Sequence, residues 1–153
     1  MNEESRSGRA DGKTVYVRPE DRIKGFTGFC GIGFEEISDA GCVLSCPLEP
    51  RHMNPMGVAH GGLIATLTDV AAGTLALQAD RMQHGIVTQS CDIHYLRPGT
   101  GEKLTARATV VRKGRRVCVV RADCFAADGK QCAAALYEIA YMETNKKEGT
   151  QHE

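Results

Sequence analysis

Between Gly61 and Gln78 the only ionisable side chain is Asp69, set in a run of Leu, Ile, Val, Ala, Gly and Thr. An isolated carboxylate in apolar surroundings is costly unless something compensates it. The same burial raises a carboxylate's pKa toward the range where it works as a general base or a nucleophile. Asp69 is therefore a candidate for chemistry. Eight residues earlier the run begins with Gly61-Gly62, preceded by His60 and, further back, by Asn54-Pro55. Two glycines are poor helix material, but they leave the N–H groups of a first helical turn open to a ligand oxygen. With the partial positive charge of a helix start, such a turn can act as an oxyanion hole, where one donor contributes about 3 kcal/mol. A plain loop-to-helix junction is the other reading of His-Gly-Gly.

The apolar run predicts one long helix over residues 61–79. On a wheel advancing about 100° per residue, Leu63, Leu67, Val70, Thr74 and Leu77 gather opposite Asp69, with Ile64, Ala71 and Leu75 beside them. That bulky stripe should lie on a sheet. Around Asp69 sit Gly62, Ala65, Thr66, Gly73 and Ala76, a face of small residues where a solvated helix would carry Lys and Glu. A second subunit packed on this face explains it; a water-facing helix with a few alanines is the blander alternative. Asp69 lies about 12 Å along the axis from Gly61, too far for both to touch one small reacting centre. A neighbouring helix running antiparallel would bring its own Asp69 to this Gly61, which predicts a site shared between chains.

The remaining segments alternate with period two. Strands are expected over Phe34–Ile37 and Cys42–Leu48 around the turn Ser38–Gly41, then over Val87–Leu96, Leu104–Val111, Val117–Ala126 and Lys130–Met142. Asp128-Gly129 marks a tight hairpin. Pro19 opens a short amphipathic helix whose apolar face is Ile23, Phe26 and Phe29, ended by Gly31 and Gly33. The expected class is α+β, an antiparallel sheet with one long helix inserted after the first hairpin. Residues 1–18 and 144–153 read as polar, flexible tails around one domain at 19–143.

Lys plus Arg balances Asp plus Glu at 19 each in 153 residues, so no overall field steers the chain to nucleic acid or a membrane surface. No apolar stretch is expected to reach the roughly 20 residues that span a bilayer. The seven Cys show no CxxC pair and no zinc spacing, so reduced thiols, no metal and a cytoplasmic address are expected. Cys42, Cys46 and Cys91 read as packing residues. A core without Trp is modest and favours oligomerisation.

Asn54-Pro55-Met56-Gly57-Val58-Ala59-His60-Gly61-Gly62, then Asp69, then Asp92 to Pro98 (D-I-H-Y-L-R-P), resemble the hotdog-fold acyl-CoA thioesterases of the phenylacetate-degradation (4-hydroxybenzoyl-CoA thioesterase-like) type. The resemblance covers about residues 20–142. It implies a curved antiparallel sheet wrapped around the long helix, a homodimer that pairs into a dimer of dimers, and sites at the subunit interface. By position, the Gly61 amide would bind the thioester carbonyl oxygen with help from Asn54, and Asp69 of the neighbouring subunit would be base or nucleophile. Thr88 falls where many relatives place a hydroxyl that holds the water, one residue further from Asp69 than in some of them. His60 reads more readily as a helix-start residue than as a proton carrier, and Asn54 equally fits a turn. Asp92 and His94 are expected to be peripheral, and His52 solvated.

Such chemistry needs no Ser or Cys nucleophile, and no G-x-S-x-G elbow is present. No cofactor is expected, coenzyme A being part of the substrate. Its phosphates would find Arg97 and the turn Arg112-Lys113-Gly114-Arg115-Arg116, although a solvated hairpin tip accounts for that turn equally well. Nucleic acid is excluded by the lack of aromatics between these charges. Two other functions fit less well. A hotdog dehydratase or hydratase of 3-hydroxyacyl or enoyl thioesters would carry its His and carboxylate at a different spacing. A non-catalytic acyl-CoA-binding module would not need Asp69.

Overall fold

The computed structural model describes residues 8–10 and 13–143. A six-stranded antiparallel sheet is built from β3 (Gly33–Ser38), β4 (Gly41–Pro47), β5 (Gly85–Tyr95), β6 (Lys103–Lys113), β7 (Val117–Phe125) and β8 (Gln131–Met142). The spatial order is β3-β4-β6-β7-β8-β5. The helix α3 (Gly61–Ala79) lies across its concave face, preceded by a short 3₁₀ turn at Pro50–His52. This is the hotdog fold, and α3 has the bounds its apolar run predicts.

The core follows from the helical stripe. Leu67 and Leu75 are fully buried against Leu44, Leu104 and Val120, each contributing about 1.5–3 kcal/mol by leaving water. Cys42, Cys46, Cys118, Cys124 and Cys132 fill the sheet as small buried thiols. Two pairs of polar groups bridge sheet and helix: Thr68 and Tyr137 share a hydroxyl–hydroxyl bond at 2.7 Å, and the Tyr141 hydroxyl donates to Ala76 O at 2.9 Å, whereas the buried Thr74 hydroxyl meets no partner among the described residues. At 19 residues α3 is long and apolar enough to cross a bilayer by length and composition, which corrects the expectation that no stretch approaches that length. Here most of it is packed within the protein.

Three segments differ from the sequence reading. Two short strands, β1 (Gly8–Ala10) and β2 (Lys13–Val15), pair antiparallel, and the chain is fastened to α3 from Tyr16 onward. Gln78 Oε1 accepts the Tyr16 and Val17 amides at 2.8 and 3.3 Å, and Val17 is fully buried. The expected amphipathic helix is two single turns, α1 (Pro19–Arg22) and α2 (Phe26–Phe29), separated by Gly25 at φ +63°. Its apolar face is uncovered: Phe26 and Phe29 are 65% and 66% exposed and stack on one another. His52 is buried, not solvated. Its Nδ1 accepts the Glu49 amide at 3.0 Å in a capping box around the 3₁₀ turn.

Strand β5 is an edge strand paired only with β8, and a bulge interrupts its register between Thr88 and Ser90. Every side chain from Val87 to Asp92 is exposed. The bulge lodges Gln89 as an extra residue and turns Thr88 toward the helix, as bulges commonly re-aim a side chain.

Candidate active site

The predicted small-residue face of α3 is open only in its first half. Gly62 is exposed, and Ala65, Thr66 and Asp69 are half-buried. Gly73 and Ala76 are covered within the chain, Gly73 by Ile86 and Arg22 and Ala76 by Tyr141. Along the open half runs a cleft of about 570 Å³, lined among others by Asp69, Thr88, Val70, Ile86, Tyr137 and Arg22.

Asp69 is not isolated there. Thr88 Oγ1 donates to Asp69 Oδ1 at 2.6 Å, a short charge-assisted bond that fixes the carboxylate and leaves Oδ2 without a hydrogen bond among the described residues. Arg22, 47 residues earlier, reaches the same cleft. Burial holds the Arg22 pKa below its ordinary value, with Asp69 opposing that shift. Burial also pushes the Tyr137 phenol up; its hydroxyl bonds the Ala65 carbonyl at 3.1 Å. Sequence reasoning missed Arg22. No local signal marked it: Gly73, one turn from Asp69, is made tight by Ile86 Cδ1 at 3.0 Å from a would-be Cβ, while Arg22 Nη2 at 3.6 Å would be in ordinary contact.

The helix start is built as an amide site with one open donor. His60 is the N-cap, its Nδ1 accepting the Gly62 amide at 2.9 Å. Gly62 is therefore corrected as a substrate donor: its N–H is already bonded. No acceptor meets the Gly61 N–H among the described residues. The acceptor role of Nδ1 makes His60 a neutral ring, in keeping with a helix-start function. Asn54 Oδ1 accepts the Met56 and Val58 amides at 2.9 and 3.3 Å, so it is a turn residue, and only its side-chain NH₂ is left to face a ligand.

Beside Gly61 a second hollow of about 380 Å³ is lined by Tyr95, Leu96, Arg97, Ala59 and Ile64. The Tyr95 hydroxyl donates to Gly61 O at 3.2 Å, bracing the turn from β5. Arg97 is thus near the open amide, but the 112–116 turn is not. Lys113 pairs with Asp80 at 3.5 Å, just past the far end of a helix whose 19 residues span about 27 Å. The Gly114 amide is tied to Val117 O at 2.9 Å, and Arg112, Arg115 and Arg116 are exposed. Within one chain this turn cannot serve the Gly61 end. Cys91, expected to pack, is exposed and lines the Asp69 cleft. Asp92 and His94 are exposed and bonded to each other at 3.3 Å.

A family model for the thioesterase superfamily matches residues 56–133, which takes in the open helix start, Asp69 and Thr88. The chain belongs to this superfamily. It is similar to the medium/long-chain acyl-CoA thioesterase YigI of Salmonella typhimurium, with 30% identity over 79% of this chain and 84% of the relative. The crystal structure of thioesterase HI1161 from Haemophilus influenzae superposes with a TM-score of 0.79 at 22% identity, covering 85% of this chain and 91% of that one. A hypothetical thioesterase from Streptococcus pneumoniae, solved with coenzyme A, gives 0.67 at 25% identity over 74% and 87%. This thioesterase is accordingly a thioester hydrolase.

Proposed function

We propose that this thioesterase hydrolyses acyl-CoA thioesters at sites completed by two copies of the chain, each pairing its Gly61 amide with Asp69 of the other. The observation that carries this reading is the Asp69–Thr88 pair at 2.6 Å in an open cleft, about 12 Å along one helix from the unpaired Gly61 donor. Antiparallel packing of the open helix faces removes that separation and covers the small residues. Coenzyme A as leaving group is supported by the acyl-CoA thioesterase relative and the coenzyme A-bound neighbour, and by Arg97 beside Gly61.

In the proposed step, Asp69 Oδ2 takes a proton from water as the water oxygen bonds to the thioester carbonyl carbon. The Gly61 N–H and the Asn54 NH₂ hold the oxyanion. The carbonyl then reforms, the C–S bond breaks, and the leaving thiolate takes the proton held on Asp69 Oδ2, which frees coenzyme A and restores the carboxylate. Thr88 keeps Oδ1 occupied so that Oδ2 meets the water. A single turnover in ¹⁸O-water puts the label straight into the acid by this route; label retained in Asp69 would indicate an acyl anhydride instead.

Subunit complementation tests the shared site. Asp69→Ala and Gly61→Pro are each expected to be inactive, the second because proline removes the donor at a position where helices tolerate it. Mixed and exchanged, the two variants regain about a quarter to a half of wild-type thiol release, because half of the sites in a mixed dimer are intact. No recovery, with mixed dimers demonstrated by mass, refutes the sharing.

A further inference from the structure

We propose that Arg22 reads the acyl chain, selecting thioesters whose acyl part carries a carboxylate a few atoms beyond the thioester carbonyl. This rests on the reading of the Asp69 cleft as the thioester site and adds to it a substrate class. Apart from Arg22, Asp69 and the Cys91 thiol, the cleft is lined by apolar and hydroxyl-bearing side chains, among them Val70, Ile86, Val87, Ile93 and Tyr137. Arg22 is the one cation on its wall among the described residues.

Arg22 is half-buried, and none of its N–H groups meets an acceptor among the described residues. Buried charges are ordinarily paired, because taking them from water without a partner is costly. Asp69 does not fill that role: no nitrogen–oxygen contact within 4.0 Å joins the two, and Asp69 Oδ1 is already taken by Thr88. Arg22 enters the cleft beside Gly73, where a Cβ would stand in ordinary contact with Arg22 Nη2 at 3.6 Å and would crowd Ile86 Cδ1 at 3.0 Å. Guanidinium presents a planar fork of donors that matches a carboxylate two-to-two. An acyl chain with its carbonyl at Asp69 runs along the apolar wall, and a terminal carboxylate supplies the acceptor that Arg22 lacks. Phe26, from the same N-terminal segment, lines the same cleft, so both chain-reading groups come from outside the helix that carries the catalytic acid.

The test compares thiol release from glutaryl-CoA and hexanoyl-CoA, acyl chains of similar length that differ in the terminal carboxylate. Wild type is expected to favour glutaryl-CoA. In Arg22→Gln the ratio of the two kcat/KM values should fall by about tenfold or more, the loss that accompanies one hydrogen bond to a charged group, and Arg22→Lys should restore part of it. A ratio unchanged in Arg22→Gln, or both substrates falling in parallel with an unchanged melting temperature, overturns the proposal and makes Arg22 a support for Asp69. Hexanoyl-CoA hydrolysis without any wild-type preference for glutaryl-CoA removes this inference alone. No release from short, medium or aromatic acyl-CoAs removes the acyl-CoA reading and this one with it.

Discussion

The two halves of α3 carry equally apolar sequence yet meet different surroundings. From Val70 to Gln78 every residue is buried. Cys42 Sγ reaches the Ala71 carbonyl at 3.2 Å, Tyr141 the Ala76 carbonyl, and Gln78 ties down Tyr16, Val17 and, through its amide NH₂ at 3.0 Å, Asp39. From Gly61 to Asp69 only the sheet side is covered, and the other side shows Gly62, Ala65, Thr66 and Asp69. One half is finished by its own chain and serves stability. The other ends in a donor without an acceptor among the described residues and an acid in an open cleft, the two features on which the proposed two-chain site rests.

Substitutions in the two halves should therefore separate activity from stability. The largest effect is expected at Asp69→Asn, which keeps the side chain's shape and its bond from Thr88 but removes the base. Thiol release should drop about 10²–10⁴-fold, with the melting temperature within a degree or two of wild type; a stability loss matching that at Leu75 would erase the contrast between halves. Leu75→Ala, in the finished half, should cost about 2–5 kcal/mol of unfolding free energy in chemical denaturation while the surviving folded protein keeps its kcat. Gln78→Ala comes next. It strands the Tyr16 and Val17 amides and should cost about 1–3 kcal/mol, again without touching turnover.

The smallest effect appears only in alkali. Burial pushes the Cys42 thiol from 9.0 up to about 12 and the Cys46 thiol up to about 11. Above pH 9 the unfolded chain releases protons that the folded chain keeps, so stability is full below about 9 and declines as pH rises toward 12. Denaturation midpoints at pH 8 and pH 10.5, compared between wild type and Cys42→Ala, measure it. A wild-type slope no steeper than the variant's would show that the thiol is accessible after all.

The bounds of α3 and the succession of helix and strands along the chain were legible, because periodicity is a local signal; Asp69 stood out as a lone charge, and the structure sets Thr88 against it at 2.6 Å. The open face was only half legible. The wheel placed Gly73 and Ala76 with Asp69 correctly by angle, but Ile86, Arg22 and Tyr141 arrive from distant segments and cover them. Arg22 was invisible for the same reason: its neighbour across the cleft is 47 residues away and the chain between them gives no period. His52 was misjudged because a histidine in a loop looks solvated until its ring is seen capping the turn at Glu49. The basic turn at 112–116 shows the reverse error, a conspicuous charge cluster lying at the wrong end of its own helix. Phe26 and Phe29 followed helical spacing, yet Gly25 at φ +63° breaks the helix before that spacing can bury anything.

Ala65 sits halfway between Gly61 and Asp69. A two-fold axis that exchanges those residues between copies must pass beside it, so in the proposed assembly the methyl group of Ala65 faces its own duplicate. Any change at that residue is encountered twice at one point, and every ångström of bulk added there moves both reaction centres at once. The gap between the helices, and hence the alignment of acid with electrophile, is gauged by the smallest side chain that still has a surface.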